Sequence, residues 1–571
     1  MSSRNKAKRG GKMGGKFSGK SSSKSSGERN GHPGGRAAAA AWKGISLYVF
    51  AVSLLAVPLY MDKAYFNLIE AKAAAYRVLV LPAFAAAALL LLAVAVFRGK
   101  ETPGWNSKET ASQRLHAGGS SGESRQAGAR SAVRFWFSGS RFCTSLLIGV
   151  ALWSLAATLL SADPKASFLG FGGWCVGSLL TVLLIFGTIL TARALPYSQN
   201  LMIPVMLVNG FIFGLMLVQA ASVDAFGLWK NLDMTMYEFH YLSTIGQKNS
   251  FAGYLCLLVP LFCGFFIVCT ERVSAVLYGV FCAAGFLCVF LCDSDCVYAG
   301  LGLCALAILP MVLASRKNVT RGGILLLLAG ACLLLADILP VFARKAAKLQ
   351  GISAKVVSLP CGVALCAAGA VLLLLARRMA EIPENPHMPG NEEKTETPGS
   401  PERPRMLQNR GLSRLLVLLE GILLCGILAA VIYTAFHFDD AWGSHRGAIW
   451  RTGWEYFFHA SPFRRLVGAG PEMMEGVFLP LRQTWTMRVV SAHSEPLQVL
   501  LSQGLIGLGL YLAFWGHLTA TYIRKKQWLD GSGVFFLPLA AYFGQSLFCS
   551  TYPVTAAVFS VMAGLYLKTA A

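Results

Sequence analysis

The chain has 571 residues, of which 55% are hydrophobic and only 14% are charged, and its formal net charge is +23. Soluble domains carry about a quarter charged residues, so this composition excludes an ordinary soluble protein and indicates a membrane protein. The fifteen cysteines lie mostly inside apolar runs. We therefore expect them to pack as small apolar residues, with no disulfide framework and no metal site.

Apolar runs of the length that crosses a bilayer recur along the whole chain. A transmembrane helix needs about 20 apolar residues, and about fourteen runs approach that length. We predict an all-α polytopic membrane protein with about 14 transmembrane helices, and with at least about twelve. The predicted spans are 45–61, 78–97, 143–161, 175–193, 201–222, 250–269, 274–292, 296–314, 322–342, 355–376, 414–436, 497–522, 533–549 and 553–569.

Polar segments divide these runs into two groups. Residues 1–42 are basic and rich in glycine and serine, and 377–413 are rich in proline and glutamate, so we predict a disordered tail and a disordered linker. Helices one to ten then occupy 43–376, with a basic loop at 98–142, and helices eleven to fourteen occupy 414–571. The positive-inside rule places the basic segments and both termini in the cytoplasm. We interpret the tail as a solvated segment that also fixes orientation; because it has few aromatics, any further role would be contact with lipid headgroups rather than nucleic acid.

The longest predicted outer segment is 437–496. Within "HRGAIWRTGWEYFFHA", helical spacing would place Arg446, Trp450 and Trp454 on one face. Interfacial anchoring by tryptophan, with arginine on lipid phosphate, is the alternative reading of that face. The following "GAGP" predicts a tight turn. Six arginines lie in the segment, at positions 446, 451, 464, 465, 482 and 488.

The stretch "SAHSEPLQVLLSQGLIG", residues 491–507, opens a predicted helix whose N-terminus faces outward. Pro496 suits the first helical turn, and Ser494 or Glu495 could cap it. The free N–H groups and the helix dipole attract anions there. His493 stands just before this end, where it could take a proton from a hydroxyl.

A second outward helix N-terminus is predicted at "STIGQKNSFAGYL", residues 243–255. Asn249 or Ser250 could cap it, and Lys248 stands just before it. Two such helix ends, one lysine and several arginines would suit a diphosphate at the membrane surface. The chemistry that this pattern favours is transfer of a sugar from a lipid diphosphate.

Four segments together resemble the O-antigen ligase superfamily: "LLSADPKASFLGF", "IGQKNSFAGYLCLLVPL", "HRGAIWRTGWEYF" and "GAGPEMMEGVF…SAHSEPLQVLLSQGLIGLGLYL". The resemblance implies a GT-C-like membrane glycosyltransferase that needs no metal or other cofactor. Such an enzyme transfers a glycan from an undecaprenyl-diphosphate carrier to an acceptor hydroxyl at the periplasmic face of the bacterial inner membrane. His493 would be the base and Arg446 a diphosphate ligand. The candidate substrate-binding residues are Arg451, Lys248, Asn249, Arg488, Glu495, Gly468 and Gly470.

The sequence departs from the family pattern at three positions. Ser494 follows the histidine where the family has asparagine, Gln247 replaces another asparagine, and Asp295 stands where many members have arginine. A carboxylate repels a diphosphate. Either another cation such as Arg451, Arg482 or Arg488 substitutes, or the acid binds something else, or the chain is a divergent member with altered or lost activity. Alternatives in the same class are a glycan polymerase and a protein O-oligosaccharyltransferase. Alternatives outside it are a transporter of lipid-linked glycan and a non-catalytic envelope scaffold. The expected partners are the lipid-linked donor, a glycan, lipid or protein acceptor, and membrane lipid.

Overall fold

The computed structural model describes residues 33–99, 141–170, 177–230, 241–342, 349–381, 438–484 and 489–569, with isolated residues between 418 and 433. The chain is all-α in these ranges, apart from a two-stranded ribbon of two residues in each strand. In the ribbon, β1 (Tyr241–Leu242) runs antiparallel to β2 (Gly246–Gln247). The predicted fold class is confirmed at this level.

The helices follow the order of the apolar runs. The first half of the described chain contains α1 (Pro33–Ala51), a π-helical turn (Val52–Ala56), α2 (Val57–Leu59), α3 (Leu68–Gly99), α4 (Arg141–Leu159), α5 (Pro164–Leu169), α6 (Leu179–Ala194), α7 (Met202–Ala220), α8 (Lys248–Val268), α9 (Arg272–Leu291) and α10 (Cys296–Leu313). The second half contains α11 (Arg316–Phe342), α12 (Gly351–Val356), α13 (Leu359–Glu381), α14 (Trp442–His459), α15 (Pro462–Val467), α16 (Met474–Val477), α17 (Leu479–Thr484), α18 (Glu495–Arg524), α19 (Phe536–Ser546) and α20 (Pro553–Thr569).

Ten helices of the described ranges are long and apolar enough to cross a membrane, and α6 and α20 are shorter apolar helices. Every predicted span contains a helix except 414–436, of which only isolated residues are described. Within the predicted span 533–549, a 3₁₀ turn (Ser532–Phe535) leads into α19, which has 11 residues. At about 1.5 Å per residue it is too short to cross a bilayer core of about 30 Å.

Three predicted boundaries are wrong. The predicted disordered tail 1–42 becomes helical at Pro33, where an alanine-rich segment favours helix. The predicted linker 377–413 is helical as far as Glu381, and the rest of it lies outside the described residues. Helix α3 begins at Leu68 rather than at residue 78. Its buried Lys72 donates hydrogen bonds to the carbonyls of Val57, Pro58 and Tyr60, so the charge is satisfied inside the bundle.

Helix α8 lies at the centre of the bundle and is almost wholly buried. It packs against α9, α10, α19 and α20. Small residues let the neighbouring helices approach closely. A Cβ on Gly300 of α10 would lie 2.6 Å from the Ala541 carbonyl oxygen of α19, and a Cβ on Gly544 would lie 2.5 Å from the Ala299 carbonyl oxygen. The N-termini of α8 and α10 and the turn after α19 therefore converge at one end of the bundle.

Candidate functional site

The segment before α18 holds His493 in one conformation. Its backbone is left-handed, with φ of 49°, which is uncommon for a residue other than glycine. The His493 N–H donates to Ser491 Oγ at 3.1 Å, and Ser491 Oγ in turn bonds Ser550 Oγ. The Ala492 N–H donates to Gln498 Oε1 at 2.8 Å. The turn is therefore held both by the first turn of α18 and by the loop that precedes α20.

Trp450 of α14 positions the same segment from the other side. Its indole Nε1–H donates to the Ala492 carbonyl at 2.9 Å, and its ring stacks on Phe548 at 6.0 Å. Trp454 is instead 45% exposed and stacks on Phe458 at 5.8 Å. The two tryptophans are one turn apart on the continuous helix α14 but differ in surroundings, since Trp450 packs inward on the His493 turn and Trp454 is exposed.

Arg446, one helical turn before Trp450, is close enough to His493 for its charge to act on the imidazole. Its Nη1 donates to the Gly443 carbonyl at 3.0 Å, and its buried Nε has no hydrogen-bond partner among the described residues. Its positive charge also interacts electrostatically with the side chains of Cys549 and Tyr552. Arg446 is thus close to the His493 turn and to the loop before α20, with one guanidinium donor unused.

Burial, and then the positive charge of Arg446, lower the pKa of His493 to about 4. The imidazole is therefore neutral at pH 7, as a proton acceptor must be. Its Nδ1 is buried and has no hydrogen-bond partner within the described ranges. The two candidate residues thus interact electrostatically, and both keep a polar atom that the rest of the described protein does not satisfy.

Lys248 and Asn249 lie at the start of α8, and each side chain is bonded to another residue of the protein. Lys248 Nζ forms an ion pair with Asp293 Oδ2 at 2.8 Å, and Asn249 Oδ1 accepts from Ser294 Oγ at 2.6 Å. The predicted cap at Asn249 or Ser250 is wrong. The side chain of Gln247 caps the helix instead, accepting from the Asn249 and Ser250 N–H groups at 2.9 and 3.1 Å.

Asp295, the departure from the family pattern, has a structural partner. Its Oδ1 accepts from the N–H of Ser353 at 2.9 Å and from Ser353 Oγ at 3.1 Å. A carboxylate at the N-terminus of α12 satisfies free N–H groups and interacts favourably with the helix dipole. The Asp295 carboxylate is thus engaged by α12.

Gly468 and Gly470 form the junction between a loop and α18. Helix α18 breaks at Gly504, with φ of 68° and ψ of −168°. The Leu501 and Ser502 carbonyls accept from the Ala469 and Gly470 N–H groups, at 2.8 and 2.9 Å. Those N–H groups are therefore not available to a substrate phosphate, and we assign both predicted glycines to the structure of this junction.

Arg451 lies on the exposed part of α14. It pairs with Asp440 at 2.5 Å and approaches Glu455 to 3.8 Å, so two acids offset its charge. Arg464 bonds the carbonyls of Leu160 and Gly468. Arg488 and the side chain of Arg482 lie outside the described residues. Arg446 is therefore the described arginine of this segment that the structure brings to His493.

Ser494 is the N-cap residue of α18, as predicted, but its side chain makes no capping bond, and the alternative cap Glu495 lies inside the helix. The Glu495 carboxyl points away from solvent, close to the hydroxyls of Thr551 and Ser546. It lines a cavity of about 180 Å³ between α4, α6, α18 and α20. Neither His493 nor Arg446 lines this cavity, so the 491–495 segment has different surroundings on its two sides.

No protein-family model matches the chain, and no curated protein matches it. The resemblance to the O-antigen ligase superfamily therefore stays a prediction that depends on the short motifs alone.

Sequence reasoning missed the residues that hold the site together. The sequence suggested membrane anchoring as one role for Trp450. It suggested no role for Gln498, which appears there only within a quoted motif. Ser550 and Asp293 lie far along the chain from the residues they bond. A signal was present only for Gln498, because it follows the helix start at a spacing that lets its side chain reach back over one turn.

Proposed function

We propose that the chain transfers a glycan from a polyprenyl-diphosphate carrier to an acceptor hydroxyl, as the O-antigen ligase resemblance implies. The observation that carries the proposal is that cationic Arg446 acts electrostatically on neutral His493, and that each has an unpartnered buried nitrogen in the described structure. A general base and an anion ligand side by side are what this transfer needs.

In the proposed reaction, the acceptor oxygen attacks the sugar carbon that bears the diphosphate. The new C–O bond forms as the bond to the diphosphate oxygen breaks, and the diphosphate leaves with the bonding electrons. His493 takes the hydroxyl proton, and Arg446 balances the charge that develops on the leaving oxygens.

Binding of the donor would also adjust the base. A histidine with a pKa of about 4 is a weak proton acceptor at neutral pH. A diphosphate beside Arg446 would offset the guanidinium charge and stabilise the imidazolium, which raises the pKa of His493. The base would therefore become effective only when the donor is in place.

The proposal also assigns a location. The chain would cross the inner membrane of a bacterium many times, with both termini in the cytoplasm. Arg446 and His493 would then face the periplasm, where lipid-linked glycans are consumed. The predicted fourteen helices and the GT-C-like arrangement belong to this proposal.

A complementation experiment tests the proposed function. Cells that lack the protein receive the wild type, His493→Ala or Arg451→Ala, and their lipid-linked and surface glycans are profiled at matched protein levels. We expect the His493→Ala cells to retain glycan on the carrier and to lose it from the surface. The Arg451→Ala variant is the control, because two acids already pair that arginine.

The same profile distinguishes the alternatives. Complete chains left on the carrier indicate a ligase, loss of long chains indicates a polymerase, and donor accumulating on the cytoplasmic face indicates a transporter. Normal surface glycan in His493→Ala cells would show that this histidine is not the base.

A further inference from the structure

The corner between α14 and α15 presents four large apolar side chains to its surroundings. Trp454 and Phe458 lie one turn apart on α14 and stack on each other, with 45% and 61% of their surfaces exposed. Phe463 and Leu466 share a face of α15 and are 54% and 46% exposed. We call these four residues the apolar corner. An exposed apolar patch of this kind marks contact with a membrane or with another protein.

The apolar corner adjoins the C-terminal end of α4. Arg464 Nη1 donates to the Leu160 carbonyl, just past that end, at 3.0 Å, so α15 is bonded directly to it. Helix α4 is long and apolar enough to cross a membrane. Its exposed side chains include Leu152, Leu155 and Leu159, whose spacing places them on one face. Lipid that surrounds α4 would cover this face and, at its end, meet α15.

Two arginines satisfy backbone carbonyls at the apolar corner. Arg465 donates to the carbonyls of Phe458 and Ala460 at the end of α14, and its Nε lies 3.0 Å from the Ala460 oxygen. Arg464 donates to the Gly468 carbonyl at 3.2 Å as well as to that of Leu160. The last carbonyls of a helix have no partner within the helix. Water can satisfy them at an aqueous surface, but beside hydrocarbon the protein must do so. The backbone of the corner is therefore suited to surroundings that contain little water.

A row of charged side chains runs along α14 next to the apolar one. Arg451 and Glu455 are one turn apart, approach to 3.8 Å and are more than half exposed. Helical spacing places this row beside Trp454 and Phe458. A helix with adjacent apolar and charged rows lies in the plane of a membrane interface, with the apolar row in the acyl region and the charged row among the headgroups. Tryptophan is enriched at that depth.

We propose that the apolar corner inserts into the lipid leaflet at this end of the bundle and holds α14 in the plane of the membrane surface. The occupant of this surface is lipid hydrocarbon, because the corner continues the exposed apolar face of α4. The inference goes beyond the proposed function, since it makes no use of a glycan or of a diphosphate. Arg446 lies about two turns before Trp454 on the same helix, so insertion would also fix the depth of Arg446.

Lipid photocrosslinking of the full-length protein in phosphatidylcholine nanodiscs tests the inference. The photoreactive residue p-benzoylphenylalanine replaces Phe458, Phe463, the exposed Leu155 of α4 or the charged-row Glu455, one position at a time, and mass spectrometry identifies the adducts. We expect acyl-chain adducts at positions 458 and 463 in yields close to that at 155, and a yield at 455 about tenfold lower, because only the apolar row reaches the hydrocarbon. Absence of lipid adducts at 458 and 463, equal yields at 455 and 458, or adducts to a second copy of the protein would overturn the inference.

Quenching of tryptophan fluorescence gives a second measurement, with conservative variants. Dibrominated phosphatidylcholine in the nanodisc quenches an indole that touches its acyl chains. The quenched part of the fluorescence should fall in Trp454→Phe and stay unaltered in Trp450→Phe, since Trp450 packs on Phe548 and bonds Ala492. Equal quenching in Trp454→Phe and the wild type would overturn the inference. Neither measurement uses a glycan donor, so failure of transfer in the complementation experiment would leave both results unaffected.

Discussion

Two helix N-termini at the same end of the bundle each have a cation beside them, and the two cations have different surroundings. At α8, Lys248 is bonded to Asp293 at 2.8 Å, and both side chains are largely buried. At α18, Arg446 lies beside a neutral histidine and a carbonyl, with its Nε unused within the described ranges. From the sequence the two ends look alike, but among the described residues the second keeps a positive charge that forms no ion pair with an acid.

The difference shows what makes a helix end suitable for an anion. The helix dipole contributes only about half an elementary charge, so a neighbouring carboxylate cancels its attraction. A diphosphate at Lys248 would first have to displace Asp293, whose Oδ1 also accepts from the Gln350 N–H at 2.8 Å. We therefore expect the donor phosphates at Arg446 and not at Lys248.

The largest expected effect comes from removing each cation in turn. Arg446→Ala should lower the rate of glycan transfer by about a hundredfold or more, because the charge on the leaving diphosphate loses its partner. Lys248→Ala should change the rate by less than about fivefold, since its charge is already neutralised by Asp293. The rate is measured in membranes supplied with polyprenyl-diphosphate-linked glycan. A larger loss with Lys248→Ala than with Arg446→Ala would reverse the comparison.

A smaller effect is expected when position 446 keeps a positive charge but loses the planar guanidinium group. Arg446→Lys should lower the transfer rate by roughly tenfold, because lysine cannot bind two phosphate oxygens through a planar fork. The matched change Arg451→Lys should leave the rate unaltered, since Arg451 is exposed and paired with Asp440. A rate for Arg446→Lys as low as that of Arg446→Ala would indicate that geometry matters more than charge.

The Lys248–Asp293 pair should affect stability instead of rate. Lys248→Met or Asp293→Asn alone should cost about 1–2 kcal/mol, because each leaves a largely buried charge without its partner. The double variant should be less destabilised than the sum of the two single variants. Chemical unfolding in detergent micelles measures all three free energies. Strict additivity would mean that the Lys248 and Asp293 side chains do not interact. The contrast between the paired lysine at α8 and the arginine at α18 would then not hold.

The pH dependence of transfer gives the finest test. For the free protein, kcat/KM should stay level as pH falls from 7 and decline only as it passes the His493 pKa of about 4. In the donor complex the negative diphosphate raises the pKa of His493, so kcat should decline at a higher pH than kcat/KM. Profiles of the two constants between pH 4 and 8, together with those of Arg446→Gln, measure the separation. Coincident acid limbs would mean that the diphosphate does not lie near His493.

Much of the bundle was predictable because run length and hydropathy alone determine a membrane helix. The errors arose where a polar residue is satisfied by distant parts of the chain. The predicted span 78–97 leaves out Lys72, yet this residue lies in α3, and the carbonyls of Val57, Pro58 and Tyr60 accept its hydrogen bonds. No local pattern reports such an arrangement, and the predicted start of α3 was late for that reason.

For the candidate site, the sequence located the helix end but not the electrostatic balance around it. His493 and Arg446 belong to one loop, and the structure brings them together. From the sequence, Lys248 looked equally suitable. Its neutralising partner Asp293 lies in a different part of the chain, in the connection between α9 and α10. The cavity beside Glu495 was not predicted at all, since its walls come from helices distant in sequence.

The break in α18 at Gly504 connects the helix to the loop at its side. Three successive carbonyls that the break releases, those of Leu501, Ser502 and Gln503, accept from Ala469 N–H, Gly470 N–H and the indole N–H of Trp153. If α18 straightened, the same carbonyls would bond within the helix and the loop would lose its attachment. The helix could therefore straighten only if the loop detached, so the break at Gly504 couples the shape of α18 to the position of this loop.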